Sequence, residues 1–265
     1  MPSKIRKPKK AAGSEASRAV VKPAKSRVSA RGKKTQVRRA PPKPARESPE
    51  AKSARAVRIS AALGRLYNHK GGTALEYRDP FQLLISVILS AQCTDEQVNR
   101  TTPALFARYP DAAAMAAADP ADIERLVHST GFYRQKTKSL MAASRDIVER
   151  FGGRAPREMD ELTSLRGVGR KTANCVRAYA FGEPGLTVDT HFKRLAGRMG
   201  LTENTDPDKI EADLAALLPP ERWIEMSDGL IWHGRAVCKA RGPECGRCAV
   251  LADCPFGREA IEKSG

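Results

Sequence analysis

Apolar residues from Ile59 onward recur at three- and four-residue intervals, the period of amphipathic helices, and no stretch alternates as a half-buried strand would. Asp79-Pro80 predicts an N-cap with proline in the first turn, opening the run Phe81-Gln82-Leu83-Leu84-Ile85-Ser86-Val87-Ile88-Leu89-Ser90. Thr94 with Gln97 predicts a capping box. Asp119-Pro120 and Asp206-Pro207 repeat the cap-then-proline signal ahead of the apolar stretches at 123–127 and 210–214. Residues 135–151 read as an amphipathic helix with Leu140, Ile147, Val148 and Phe151 on one side, ended by Gly152-Gly153. The fold class is all-α, with no repeat at solenoid spacing.

Charge changes the picture at the N-terminal end. The chain of 265 residues carries a net charge of +17, and residues 1–58 hold 19 Lys or Arg against 3 Glu, a balance of +16. The remaining 207 residues balance to +1. Residues 1–58 have no aromatic residue and are rich in Ala, Pro, Ser, Lys and Arg, so they cannot bury enough apolar surface to offset their ordering entropy. They read as a disordered basic tail whose partner is a polyanion, most simply nucleic acid bound through counterion release. A solubilising or targeting extension is the alternative; the many prolines argue against the amphipathic helix of a mitochondrial presequence. The longest apolar run, 81–91, is too short to span a bilayer, so a soluble intracellular protein without membrane contact is expected.

Candidate chemistry lies in two places. Cys238, Cys245, Cys248 and Cys254 crowd four of the six cysteines into the last 28 positions, with Gly242, Pro243 and Gly246 letting the backbone bend between them. Such spacing in a chain without a secretory signal argues for a metal centre, and four thiolates suit structural zinc or a cubane iron–sulfur cluster equally. The second place is Leu165-Arg166-Gly167-Val168-Gly169-Arg170-Lys171-Thr172-Ala173. Here a glycine turn joins a short helix to a longer one, and N–H groups at a helix start beside Arg170 and Lys171 suit a phosphate backbone. That predicts a helix–hairpin–helix gripping DNA without reading its sequence.

Together with Leu89-Ser90-Ala91-Gln92-Cys93-Thr94-Asp95 and Thr187-Val188-Asp189-Thr190-His191, these motifs resemble the endonuclease III family of DNA glycosylases, over roughly residues 55–257. The resemblance implies a six-helix domain over 74–183, with the hairpin at about 160–181. It also implies an iron–sulfur domain made of 59–73 and 184–265, whose four cysteines hold one [4Fe–4S] cluster. Lys171 then falls on the family's catalytic lysine and Asp189 on its catalytic aspartate. The helix start and Arg170 would favour the neutral, nucleophilic amine, which attacks C1′, displaces the base and leaves an imine that permits β-elimination. Alone, Lys171 would read as a solvated surface lysine and Asp189 as an N-cap.

Gln92 aligns with a residue that fills the vacated stack. Phe132 and Tyr133 align with a loop that wedges into the opposite strand, the alternative for Phe132 being a core aromatic. Gly167, Gly169, Arg170, Lys239 and Arg241 complete the expected DNA contacts. The cluster with its thiolates carries about −2, so Lys239 and Arg241 rather than the cluster would attract phosphate. Cys93 and Cys175 read as buried packing residues in helices, Trp223 and Trp232 as packing of the iron–sulfur domain, and His233 as a packing or hydrogen-bonding residue. Arg166 departs from the family, which usually has proline there.

The expected protein is a monomeric base excision repair enzyme. It would remove oxidised pyrimidines from double-stranded DNA and cleave abasic sites, in a bacterial cytoplasm at the nucleoid, or in a nucleus or mitochondrion if eukaryotic. A monofunctional adenine glycosylase of the same superfamily would need an acid on the early apolar helix, where Ser86-Val87-Ile88 has none. A non-catalytic DNA-binding scaffold is opposed by the presence of both Lys171 and Asp189.

Overall fold

A computed structural model describes residues 47–67 and 72–263, and among these the chain forms twelve α-helices and no strand. They are α1 (Pro49–Tyr67), α2 (Pro80–Leu89), α3 (Asp95–Arg108), α4 (Ala112–Ala116), α5 (Pro120–Val127) and α6 (Tyr133–Phe151), followed by α7 (Met159–Ser164), α8 (Arg170–Phe181), α9 (Thr190–Arg198), α10 (Pro207–Leu217), α11 (Trp223–Ala236) and α12 (Pro255–Glu262). The starts follow local chemistry. Side chains of Asp79, Thr94, Asp111, Asp119, Asp189 and Asp206 each accept a backbone N–H from the first turn of the helix they precede. At Thr94 only half of the capping box forms. Gln97 gives its N–H to Thr94 Oγ1, but its side chain turns away and donates to Ser129 Oγ at 2.8 Å.

Two hydrophobic cores organise these helices. In the first, nine of the ten residues of α2 are buried, so a run without amphipathic relief becomes the central helix of a bundle. Leu83, Leu84, Ile85 and Leu89 meet Val98 and Leu105 of α3, Met115 of α4, Ile123 of α5, Leu140 and Ile147 of α6, and Val176 of α8. Each such side chain contributes roughly 1.5–3 kcal/mol by leaving water. The span 74–183 holds seven α-helical segments rather than six, one of them the five-residue α4. Val148 stays 38% exposed, because Leu140, Met141, Ser144 and Ile147 already define the buried face of α6.

The second core joins the two ends of the described chain. Ile59 and Leu63 of α1 pack with Phe192 and Leu195 of α9, Ile210 and Leu214 of α10, and Met226 and Leu230 of α11. Gly229 makes the α1–α11 approach possible, since a Cβ there would lie 2.6 Å from Leu63 Cβ. Helix α1 starts at Pro49, so the expected tail boundary after residue 58 falls inside a helix, and residues 49–58 belong to the folded part. The physical reason is Arg55. Composition made it one more tail cation, but it is buried, donates to the carbonyls of Met199 (2.6 Å) and Asp253 (3.0 Å), and pairs with Glu47 at 2.7 Å. Arg58 likewise pairs with Asp253. The rest of the expected tail lies outside the described residues. Among the described residues no helix is long and apolar enough to cross a membrane.

Candidate active site

Between the two lobes runs a cleft whose lining includes Lys171, Asp189, Asp95, Cys175, Tyr179 and Trp232, together with Arg235, Thr187 and residues 72–75. Lys171 and Asp189 thus share one space, although 18 residues separate them. Lys171 sits in the first turn of α8, and its amine has no ion pair or hydrogen bond among the described residues. Asp189 Oδ1 accepts the Phe192 N–H at 2.7 Å, so the carboxylate caps α9 while facing the cleft. The cap and the cleft roles coincide in one side chain.

The hairpin positions the lysine. Leu165 and Val168 are buried and anchor the turn to the first core, while Arg166, Gly167, Gly169 and Arg170 stay exposed. The Val168 N–H closes the turn on the Leu165 carbonyl at 3.1 Å. Gly167 has φ +84°, and a Cβ there would also collide with Ser139 at 2.8 Å, so glycine is required twice over. Gly169 differs: a Cβ would meet nothing within 4 Å, so its bareness leaves the start of α8 open to solvent. Arg170, expected beside the lysine and on DNA, gives its guanidinium to Glu211 through two hydrogen bonds of 2.9 and 2.8 Å. The pairing consumes a cation that the sequence left free.

Strain marks the two residues expected to enter the base stack. Among the described residues only Gln92 (φ +53°) and Phe132 (φ +48°) are non-glycine residues in the left-handed region. Such backbone costs on the order of 1–3 kcal/mol and is enriched where function demands a particular aim. Phe132 is 66% exposed, which rules out the core-aromatic alternative. Its loop is held from below: Tyr133 packs its ring on His128 at 4.5 Å, and the buried Lys136 amine donates to the Thr130 carbonyl at 2.7 Å. Gln92 is exposed in the turn after α2. Cys93, expected in a helix, lies half-buried in that same turn.

Several cleft residues escaped sequence reasoning. Cys175 is buried, as expected, but it lines the cleft, and burial pushes its thiol up to about 12. Trp232 is a cleft wall rather than packing of the second lobe, with the Arg235 guanidinium 5.0 Å from its ring centroid and Arg235 paired to Asp95 at 3.1 Å. The spacing Lys171, Cys175, Tyr179 was the available signal, since residues four apart share a helix face.

The four cysteines line a separate small cavity with Met199, Val237, Pro243 and Phe256. Among the described residues no three metal-ligating side chains converge as tightly as a single ion needs. Polar groups are nevertheless set against the sulfurs: Arg198 donates to Cys238 (3.3 Å), the Gly257 N–H donates to Cys254 (3.4 Å), and His233 Nε2 lies 3.3 Å from Cys248. His233 also meets the Tyr67 hydroxyl through Nδ1 at 3.1 Å, so it is the hydrogen-bonding residue expected. Burial raises the Cys248 and Cys254 thiols, a penalty that metal bonding would reverse. Lys239 pairs with Glu244 at 2.6 Å, whereas Arg241 is exposed and unpaired among the described residues.

Residues 85–220 match the model of the HhH-GPD superfamily base excision DNA repair proteins. Endonuclease III of Synechocystis sp. is 55% identical over 207 residues, covering 77% of this chain and 94% of the relative. Endonuclease III of Bacillus subtilis is 39% identical over 202 residues, covering 76% and 92%. The chain belongs to the endonuclease III family. Among solved structures, a non-covalent endonuclease III–DNA complex and a trapped endonuclease III–DNA covalent intermediate each superpose with a TM-score of 0.74 at 34% identity, covering 79% of this chain and 98% of theirs. Within the family, this chain's Arg166 occupies the second position of the hairpin turn, where proline would preset φ. The buried Leu165 and Val168 anchor the turn without it.

Proposed function

We propose that this protein is a bifunctional DNA glycosylase and abasic-site lyase that removes oxidised pyrimidines from duplex DNA during base excision repair. The observation that carries the reading is the meeting of Lys171 and Asp189 in one cleft, with the amine at the start of the helix that follows the glycine hairpin. Lys171 attacks C1′ of the damaged nucleotide. The glycosidic bond breaks, its electron pair leaves with the base, and ring opening yields a protonated imine. The imine acidifies C2′; loss of that proton expels the 3′ phosphate and cuts the strand 3′ to the lesion. Asp189 assists deprotonation or stabilises positive charge on the sugar.

The hairpin backbone, with Gly167 and Gly169, holds phosphate. The exposed Phe132 wedges into the stack and Gln92 fills the vacated place, both presented by left-handed backbone. Arg241 adds a phosphate contact beside the cysteine loop. Cys238, Cys245, Cys248 and Cys254 hold one [4Fe–4S] cluster, which supplies a rigid cross-link in the second lobe. The donors from Arg198 and Gly257 stabilise its thiolates. The segment 1–46, with a balance of +15, adds nonspecific affinity by counterion release. The protein acts as a monomer on bacterial DNA in the cytoplasm.

Borohydride trapping on duplex DNA bearing an oxidised pyrimidine tests the reading. A covalent adduct from wild type and none from Lys171→Ala is expected; an adduct that survives the substitution would overturn it. A colourless protein with stoichiometric zinc would sink the cluster assignment.

A further inference from the structure

Helix α8 turns Lys171, Cys175 and Tyr179 into the cleft at successive one-turn intervals. Helix α11 faces it with Asp228, Ile231, Trp232 and Arg235, at positions i, i+3, i+4 and i+7, and the last three line the cleft. Two polar bridges tie α11 to the first lobe. One is Arg235 with Asp95 at 3.1 Å, both side chains partly exposed. The other is the Tyr179 hydroxyl donating to the Asp228 carboxylate. Seven residues of α11 separate the bridgeheads, about 10 Å along the axis.

The Tyr179 bridge is half-buried. Burial drives its phenol well above its ordinary range and pushes the Asp228 carboxyl up to about 6, so water competes less well for either partner than at an exposed bridge. The ring is boxed in as well. A Cβ on Gly72 would fall 1.8 Å from it, and the Tyr77 hydroxyl donates to the Tyr179 carbonyl at 2.8 Å. Charges converge here: the Cys175 thiol between them feels Lys171 on one side and Asp228 on the other, and the Tyr179 phenol feels Asp189. The proposed mechanism gives none of these groups a part beyond Lys171 and Asp189.

We propose that Tyr179 and Asp228 are positioning residues for the chemistry at Lys171. The bridge locks α8 in rotation against α11 two turns below the amine, and so sets where the amine stands relative to Asp189 in the opposite lobe. Neither residue touches the sugar; they act through the helix. The proposal rests on Lys171 being the nucleophile. A displacement near 1 Å at a reacting atom slows chemistry severely, so loss of the lock costs rate rather than affinity.

The test is single-turnover borohydride trapping at saturating duplex DNA with a preformed abasic site, alongside DNA affinity and thermal midpoints. Tyr179→Phe and Asp228→Leu slow trapping by about tenfold or more, with DNA affinity held within about twofold. Asp228→Asn keeps an oxygen that accepts the hydroxyl and restores the rate to within about threefold of wild type. Tyr109→Phe deletes the comparable tyrosine–carboxylate hydrogen bond to Asp122 inside one lobe; it lowers the midpoint and leaves trapping unchanged. Wild-type trapping rates in Tyr179→Phe, whatever its midpoint, overturn the proposal, as does an Asp228→Asn enzyme as slow as Asp228→Leu. Failure of wild type to trap at all would strike the nucleophile assignment instead.

Discussion

The two walls of the cleft differ in kind. Helix α8 carries a free amine at its exposed start, reached by a hairpin whose glycines leave room for backbone approach. Helix α11 carries no free nucleophile among its described cleft residues; it offers a carboxylate and a guanidinium, each spent on a bridge to the other lobe. On the proposed reading, one wall is arranged for reaction and the other for restraint. Restraint needs partners, whereas a nucleophile needs their absence, and the ion-pair pattern separates the two roles even between adjacent residues. Arg170 is paired to Glu211, and Lys171 beside it has no ion pair among the described residues.

The sharpest way to break this comparison is Lys171→Ala. It should lower covalent trapping by at least about a thousandfold, because no other amine in the described cleft wall can replace it. Next comes Asp189, whose two roles separate by choice of substitution. Asp189→Asn keeps a competent N-cap and should cost about a hundredfold in single-turnover rate with little change in thermal midpoint; Asp189→Ala should lose roughly 1 kcal/mol of stability as well.

The restraining wall has its own signature in pH. The Asp228 carboxyl titrates at about 6 when folded, above its ordinary 3.8, so the folded state binds the extra proton between those values. Stability should therefore rise as pH falls from 6 toward 4. Asp228→Asn should be more stable than wild type at pH 7 by on the order of 2 kcal/mol, the advantage vanishing below about pH 4. Calorimetry across that window checks the sign. A smaller effect is expected at the wedge: Phe132→Gly should relieve left-handed strain and raise stability by about 1 kcal/mol while slowing base removal. Smallest of all, Arg235→Ala should cost under about 1 kcal/mol, because a partly exposed ion pair is screened by solvent.

Much of this was legible in the chain because it was local. Asp79-Pro80, Asp119-Pro120 and Asp206-Pro207 each start a helix with the cap expected, since a cap bonds only two or three residues ahead. Gly167 announced a turn because a positive φ leaves few other choices. Lys171 and Asp189 were singled out by motif and the four cysteines by spacing; that Lys171 and Asp189 share one cleft was implied rather than visible. The failures were of another type. Val148 lay at the edge of an apolar face and stayed exposed; Trp232 was assigned to a core and faces the cleft.

The sequence by itself determined the helices, their caps, the hairpin and the residue types at the site, because those depend on neighbours within a few positions. Only the tertiary structure decided which charges are free. Arg55 looked like one cation among many until its carbonyl partners arrived from residues 199 and 253, and Arg170 until Glu211 claimed it. Nothing in the sequence around Asp228 points to Tyr179, 49 residues away, which meets it in the fold. A charge is neutralised or desolvated by whatever the fold brings against it, and that partner can lie anywhere along the chain.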